Sequence, residues 1–179
     1  MASLRLAGRV AMITGGGAGI GAAASALFCR EGAAVAMVDA DAQALERTRA
    51  AILEAQPEAR LLCVAADVSD PARAQAAVAH CLDDWGALDV LVNNAAMRNY
   101  LPAAEVSPAD WQAIVAVNLA GMSNYCQAAL PALRRSGAGA IVNVSSCYAV
   151  TGRRGMALYD ATKAAQLAFT RTLAFEESA

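Results

Sequence analysis

The amino-acid sequence predicts an α/β fold, a doubly wound parallel sheet with helices on both faces. Five short apolar runs alternate with segments of helical pattern along the 179 residues. The runs are almost continuously apolar, as parallel strands are when helices cover both faces of their sheet. The first run also leads through a glycine-rich turn directly into a helical segment. Strand and helix alternating in this way are typical of a doubly wound sheet.

The elements follow in a regular order. The predicted strands lie at 10–14, 33–39, 61–65, 90–93 and 140–145, and all five are expected to be buried on both faces. The predicted helices lie at 19–31, 42–56, 71–84, 108–135 and 158–178. The third helix begins with Asp70 and Pro71, a capping residue followed by proline at the first helical position. The fourth contains Gly121 and Pro131, so we expect it to bend or end early.

Composition and charge exclude several classes of protein. No internal repeat or linker divides the chain, and residues 1–179 are predicted to form one domain. The net charge of −2 is scattered, which does not favour nucleic-acid binding. No apolar run has the length of a membrane span or a secretory signal. Five cysteines without a CxxC pair favour a reducing, cytoplasmic compartment, and we expect no metal centre.

The glycine-rich turn reads TGGGAGIG from Thr14 to Gly21. Glycines in such a turn let the chain reverse tightly, let the backbone approach a pyrophosphate and let the helix pack close to the strand. The N-terminus of the following helix then offers free N–H groups to phosphate oxygens. A glycine-rich surface turn is the simpler alternative, but a strand before and a helix after it favour dinucleotide binding through Gly15, Gly19, Ile20 and Gly21.

Asp39 ends the second predicted strand, 24 positions after Gly15. A carboxylate there can accept hydrogen bonds from ribose hydroxyls and would repel a 2′-phosphate. No Arg or Lys lies in the glycine turn or directly after Asp39 to receive such a phosphate. NAD is therefore favoured over NADP. The alternative is that Asp39 only caps the next helix, a role that Asp41 could also fill.

Tyr159 and Lys163 lie four residues apart in the last predicted helix, so they share one face. A phenol ionises near pH 10, and an adjacent cation favours the phenolate, so this pair could exchange a proton with a substrate oxygen. The YxxxK pattern alone is weak, because Tyr and Lys are common on helix surfaces.

Further motifs make the pattern specific. Asn93, Asn94 and Ala95 follow the fourth strand, with Ala96 in the place of a glycine. Ser146 lies 13 residues before Tyr159. The remaining motifs are the glycine turn, Asp67-Val68 after the third strand, and Asn118 in VNLAG. Together these motifs resemble those of the short-chain dehydrogenase/reductase family, from about Gly8 to the last residues.

The resemblance implies a Rossmann-like sheet of strand order 3-2-1-4-5 and an oxidoreductase that moves a hydride between NAD(H) and a secondary alcohol or ketone. It implies that Tyr159 transfers the proton, that Ser146 binds the substrate oxygen and that Asn118 holds a water of the proton relay. Lys163 would bind the nicotinamide ribose and favour the tyrosinate. Asp67 and Val68 would meet the adenine, and Asn94 and Ala95 would also bind the cofactor. A homo-oligomer, dimer or tetramer, is implied as well.

The sequence ends where family members usually continue with a sixth and a seventh strand. We expect these strands to be missing and the fifth to be left as an open edge. A fragment, a natural short form and an inactive remnant all fit. A catalytically silent dinucleotide-binding or interaction protein is therefore the alternative function, and a sugar-nucleotide epimerase or dehydratase ranks last because its glycine spacing differs. The small-molecule substrate stays open: Arg98, Arg153 and Arg154 could meet an acidic or hydroxyl-rich substrate, or be solvated loop charges.

Overall fold

The computed structural model describes residues 4–178. The strands are β1 (Val10–Thr14), β2 (Ala34–Asp39), β3 (Leu61–Ala65), β4 (Val90–Asn93) and β5 (Ala140–Asn143). The helices are α1 (Gly19–Arg30), α2 (Ala42–Ala55), α3 (Pro71–Trp85), α4 (Pro108–Val115), α5 (Gly121–Ser136), α6 (Tyr148–Thr151) and α7 (Ala157–Glu177). A 3-10 turn lies at Ala103–Glu105 and a π-helical segment at Ala116–Ala120.

The five strands form one parallel sheet in the order β3-β2-β1-β4-β5. The strand order reverses between β1 and β4, and such a switch point opens a crevice at the carboxyl ends of the strands. The Asp89 carboxylate accepts a hydrogen bond from the Val10 N–H at 2.8 Å and so fixes the start of β1 beside β4. The predicted doubly wound sheet and its strand order are confirmed.

The prediction that all five strands are buried on both faces is wrong for β3 and β5. Strand β1 and all of β2 except Asp39 are buried, whereas β3 is half-buried and the side chain of Val142 in β5 is 49% exposed. Both exposed strands lie at the edges of the sheet. A strand's own sequence does not reveal its place in the sheet, so apolar content alone overestimated their burial.

The region predicted as one helix at 108–135 runs on through Pro131 to Ser136 without a break. Its irregularity is the π-helical segment, in which the Gly121 N–H donates to the Ala116 carbonyl, five residues back. Such segments are rare and occur mainly at functional sites. The expected bend or early end is therefore replaced by a local widening of the helix around Asn118.

Side-chain caps start three of the helices. Asp41 accepts from the Ala44 N–H to cap α2, and Asp70 caps α3 before Pro71 as predicted. Ser107 and Asp110 form a reciprocal capping box at α4. The strand predicted at 140–145 ends at Asn143, and the short helix α6, which the sequence did not predict, lies just after the serine pair.

Candidate active site

The glycine turn connects β1 to α1 at the switch point of the sheet. Gly15 has a φ of +68°, a conformation that side chains disfavour, and a Cβ there would lie 2.8 Å from Nδ2 of Asn94. A Cβ on Gly21 would lie 2.0 Å from the Gly15 carbonyl oxygen. Any side chain at these two positions would force the backbone apart. The turn and the first turn of α1 are therefore held in close contact.

The residues after β4 hold this turn in place. The Thr14 hydroxyl accepts hydrogen bonds from the main-chain N–H groups of Asn94 at 3.0 Å and Ala95 at 3.1 Å. The Asn94 side-chain amide donates to the carbonyls of Thr14 at 3.0 Å and Gly15 at 3.3 Å. The Asn94 side chain therefore orients the turn itself.

The first turn of α1 presents N–H groups at the rim of the crevice. Ala18 at the N-cap is extended, and no side chain of the described residues caps this helix. Ile20, directly inside the helix, is 66% exposed, and Gly19 has a φ of +55° with open space around it. An uncapped helix N-terminus beside a glycine turn is suited to an anionic group.

The Asp39 carboxylate lies at the edge of the turn. Its Oδ2 accepts from the Gly17 N–H at 3.0 Å and its Oδ1 from the Asp41 N–H at 3.1 Å. Asp41, not Asp39, caps α2. The carboxylate is thus oriented by the main chain, and with two oxygens it retains acceptor capacity for further donors.

Asp67 and Val68 follow β3 and differ in their surroundings. Asp67 is exposed and accepts hydrogen bonds from the hydroxyl and N–H of Ser69. Val68 is 7% exposed and packs so closely on Gly121 that a Cβ there would lie 2.7 Å from its Cγ2. Asn124 donates to the Val68 carbonyl at 3.1 Å. These contacts fix the loop after β3 against α5.

Tyr159 and Lys163 lie on α7 and are both buried. The Tyr159 ring packs with Ile114, Met156 and Leu158, and the residue is 7% exposed. Nζ of Lys163 lies 5.5 Å from the centre of that ring and donates to the Val144 carbonyl at 2.7 Å. The predicted pair is therefore together in space.

Lys163 is the only lysine of the sequence, beside 13 arginines. Lysine and arginine are not interchangeable at a buried position, because the ammonium is compact and the guanidinium is planar and larger. Burial, and secondarily the charge of Arg98, lowers the pKa of Lys163 from 10.5 to about 8. The side chain is thus still mainly charged at neutral pH.

Asn118 lies in the π-helical segment and is fully buried. Its side-chain oxygen accepts from the Met97 N–H at 2.8 Å. Its amide nitrogen donates to the Met97 carbonyl at 3.0 Å and to the Thr162 hydroxyl at 3.1 Å. These bonds join the loop after β4 to α7, so the side chain of Asn118 is fully engaged in the fold.

The serine pair follows β5. The Ser145 hydroxyl donates to the Lys163 carbonyl at 2.7 Å, which ties the end of the strand to α7. The Ser146 hydroxyl oxygen accepts from the Tyr148 N–H at 3.2 Å, and the residue is half-buried. Ser146 therefore lies at the carboxyl end of the sheet, with its O–H free to turn toward another acceptor.

Comparison with known proteins gives the family. The sequence profile of the short chain dehydrogenase family matches residues 9–179. The chain belongs to this family. It is 34% identical over 173 residues to the levodione reductase of Leifsonia aquatica, covering 96% of this chain and 65% of that protein. It is 40% identical over 173 residues to the sorbitol dehydrogenase of Cereibacter sphaeroides, covering 94% and 64%.

Two solved structures match nearly the whole chain. A crystal structure of levodione reductase superposes with a TM-score of 0.94 at 34% identity, covering 97% of this chain and 68% of the other. An NAD+-bound xylitol dehydrogenase superposes with a TM-score of 0.91 at 28% identity, covering 96% and 66%. The chain thus spans about two thirds of the length of these relatives. Across residues 4–178, no helix combines the length and hydropathy that crossing a bilayer requires.

Two arginines named from the sequence lie beside Tyr159, and one neighbour of Lys163, Gln166, was missed. The guanidinium of Arg98 lies 5.8 Å and that of Arg153 lies 5.4 Å from the centre of the Tyr159 ring. Arg153 also pairs with Asp160 at 3.3 Å, so it is not simply a solvated loop charge. Gln166 contacts Lys163, and its position three residues later on the same helix face was the available signal.

The five cysteines differ in exposure, and Cys147 beside Ser146 is the exposed one. Burial raises the pKa of Cys29 and Cys126 to about 11 and that of Cys81 to about 12. We expect iodoacetamide near neutral pH to alkylate Cys147 first, because the reactive thiolate is scarce and shielded at the buried thiols. Intact-mass and peptide analysis of the folded chain measures this. Cys147→Ser is the control that removes the fast phase, and early labelling of Cys81 or Cys126 would contradict the burial.

Proposed function

We propose that the protein containing these 179 residues is an oxidoreductase that transfers a hydride between NAD(H) and a secondary alcohol or ketone. The observation that carries this proposal is the buried pair on α7, a phenol with the only lysine of the chain 5.5 Å from its ring. Tyr159 is the proposed proton donor and acceptor. The names of the relatives, a levodione reductase and a sorbitol dehydrogenase among them, support alcohol and ketone chemistry.

The residues at the switch point fit a dinucleotide. The uncapped N–H groups at the start of α1 suit the pyrophosphate, and exposed Ile20 offers apolar surface beside it. Asp39 suits the ribose hydroxyls, because its carboxylate is oriented by the Gly17 N–H and forms no ion pair within residues 4–178, where Arg47 pairs with Asp41 instead. Asp67, Val68, Asn94 and Ala95 would complete the lining of the site.

The chemistry divides between cofactor and chain. The nicotinamide, when bound, supplies or accepts the hydride. In alcohol oxidation Tyr159 takes the hydroxyl proton as a phenolate, and in ketone reduction it returns that proton to the oxygen. The charge of Lys163 stabilises the phenolate between these steps. Ser146 donates a hydrogen bond to the substrate oxygen, and Asn118 holds the loop after β4 against α7, with a relay water as the family resemblance implies.

A catalytically silent dinucleotide-binding or interaction protein is the second candidate. A panel of secondary alcohols and ketones, with NADH followed by absorbance, distinguishes the two. Turnover supports the enzyme, whereas saturable NADH binding without any turnover supports the silent protein.

Assembly and location are also proposals. We expect a homo-oligomer, dimer or tetramer, that packs through α4, α5 and α7, where Trp111 is 42% and Phe175 is 83% exposed. Five unpaired cysteines support a reducing, cytoplasmic compartment. Light scattering of the purified protein measures the first of these expectations.

Replacing Asp39 by Ser should shift cofactor preference toward NADPH. The carboxylate is expected to bind the ribose hydroxyls and to repel a 2′-phosphate, so its loss should weaken NADH binding by about tenfold and tighten NADPH binding. Fluorescence titration of wild type and variant with both cofactors measures the change.

Asp41→Ser is the matched control, because Asp41 is an exposed acid on the same loop that caps α2 through Ala44, and serine can also cap. We expect this variant to keep the wild-type preference for NADH. Equal affinities for the two cofactors in wild type would contradict the role given to Asp39.

A further inference from the structure

The side chain of Gln166 lies between the Lys163 ammonium and the main-chain carbonyl of Asn118. Its Oε1 accepts from Nζ of Lys163 at 3.2 Å, and its Nε2 donates to the main-chain carbonyl of Asn118 at 2.6 Å. The residue is 2% exposed. A single buried amide therefore joins the lysine on α7 to the π-helical segment.

The orientation of this amide is determined by its partners. An ammonium has only donors and a carbonyl oxygen only accepts, so Oε1 must face Lys163 and Nε2 must face Asn118. A side chain that can only donate or only accept could not serve both ends. The amide does not itself release a proton, so the bridge holds the ammonium without relaying protons.

The bridge also determines the direction of the remaining Lys163 donor. An ammonium carries three N–H groups, and two of them are taken by the Val144 carbonyl and by Gln166. One donor remains for the side of the site that Tyr159 occupies. Without Gln166 the flexible Lys163 side chain would keep only the Val144 carbonyl as an acceptor, and the position of its ammonium beside Tyr159 would be less defined.

Neutral oxygens alone stabilise this buried charge. No carboxylate among residues 4–178 forms an ion pair with Lys163. Two charged groups lie beside the Tyr159 ring. Arg98 comes from the loop after β4, and Arg153 comes from the loop before α7 and pairs with Asp160 in the first turn of α7. Arg98 opposes the positive charge of Lys163, so the hydrogen bonds to the Val144 carbonyl and to Gln166 are the contacts that offset the burial of the ammonium.

We propose that Gln166 is a positioning residue that holds the Lys163 ammonium charged and directed toward Tyr159. Through Lys163 it controls the charge that lies beside the Tyr159 ring. This inference rests on the proposed oxidoreductase function for its catalytic consequence, while the effect on Lys163 can be measured without any substrate.

The test uses the fact that the chain has one lysine. The 179-residue chain labelled with 15N-lysine gives a single side-chain Nζ signal, whose pH titration reports Lys163 alone. Gln166→Met keeps the length but removes the acceptor, and should lower the pKa of Lys163 by about one unit. Gln166→Glu places a carboxylate beside the ammonium and should raise that pKa. The two variants are therefore expected to move the titration in opposite directions.

Thr170→Val is the matched control. Thr170 donates to the Gln166 main-chain carbonyl at 2.7 Å one turn along the same helix, so its loss disturbs α7 without touching the amide. The Lys163 titration should not move in this variant. Equal shifts in all three variants, or no shift in either Gln166 variant, would overturn the proposal in favour of simple space filling.

Turnover measurements separate the two proposals. The pH profile of NAD-dependent turnover should follow the Lys163 titration in both Gln166 variants, and a profile that stays unmoved while Lys163 shifts would overturn the positioning role. A wild-type protein that binds NADH and turns over no substrate of the panel would instead refute the oxidoreductase function.

Discussion

Tyr159→Phe is expected to lower kcat by about 10³-fold while leaving NADH affinity nearly unchanged. General acid–base groups contribute about 10²- to 10⁴-fold, and the phenol oxygen is the only atom removed. The ring packs with Ile114, Met156 and Leu158, and phenylalanine keeps these contacts, so the fold should be preserved. Steady-state kinetics of NADH formation, with an NADH titration on the same preparation, measure both quantities.

Tyr148→Phe is the matched control for this prediction. Tyr148 is 38% exposed and its ring lies 4.1 Å from the guanidinium of Arg153, close to the site but outside the proposed proton path. We expect its kcat to stay within about threefold of wild type, as surface substitutions usually do. A Tyr159→Phe enzyme that kept a tenth of wild-type turnover would rule out Tyr159 as the principal proton donor.

The sheet was predictable because its signals are local. Apolar runs bounded by Gly, Asp and Asn located all five strands, and the glycine turn located the switch point. The burial of β3 and β5 was not predictable from their composition, because position in the sheet decides it. Val142 is as apolar as Val35, but Val142 lies on an edge strand and Val35 on an inner strand of the sheet.

The site was predictable only where its residues are close in sequence or belong to a motif. Tyr159 and Lys163 share a helix face by spacing alone. Asn118 was named from its motif, but the sequence could not reveal that its side chain is fully engaged by Met97 and Thr162. Those partners lie on a loop and a helix that meet only after the chain folds. The π-helical segment likewise has no local signal comparable to a cap or a proline.

The second large expected effect is the loss of activity when Lys163 is replaced, even by arginine. Lys163→Met should lower kcat by about 10²-fold, because it removes the ammonium that lies 5.5 Å from the centre of the Tyr159 ring. Steady-state kinetics of NADH formation, with wild type and Tyr159→Phe measured alongside, report the loss. Lys163→Arg retains the charge, but its guanidinium is too large for a residue that is 2% exposed, and we expect it to be impaired as well.

The same lysine should leave a signature in stability. Its pKa is lowered to about 8 in the folded chain, so between pH 8 and pH 10.5 the unfolded chain binds more protons, and this contribution to the free energy of unfolding rises with pH. Burial raises the pKa of the buried thiols and of Tyr125, so their contributions to the free energy of unfolding fall with pH. These contributions are expected to be the same in wild type and in Lys163→Met. The free energy of unfolding, measured with urea, should therefore rise by up to about 3 kcal/mol more in wild type than in Lys163→Met across this pH window. A flat difference would mean that Lys163 titrates in the folded chain as it does in water, and that burial does not tune it.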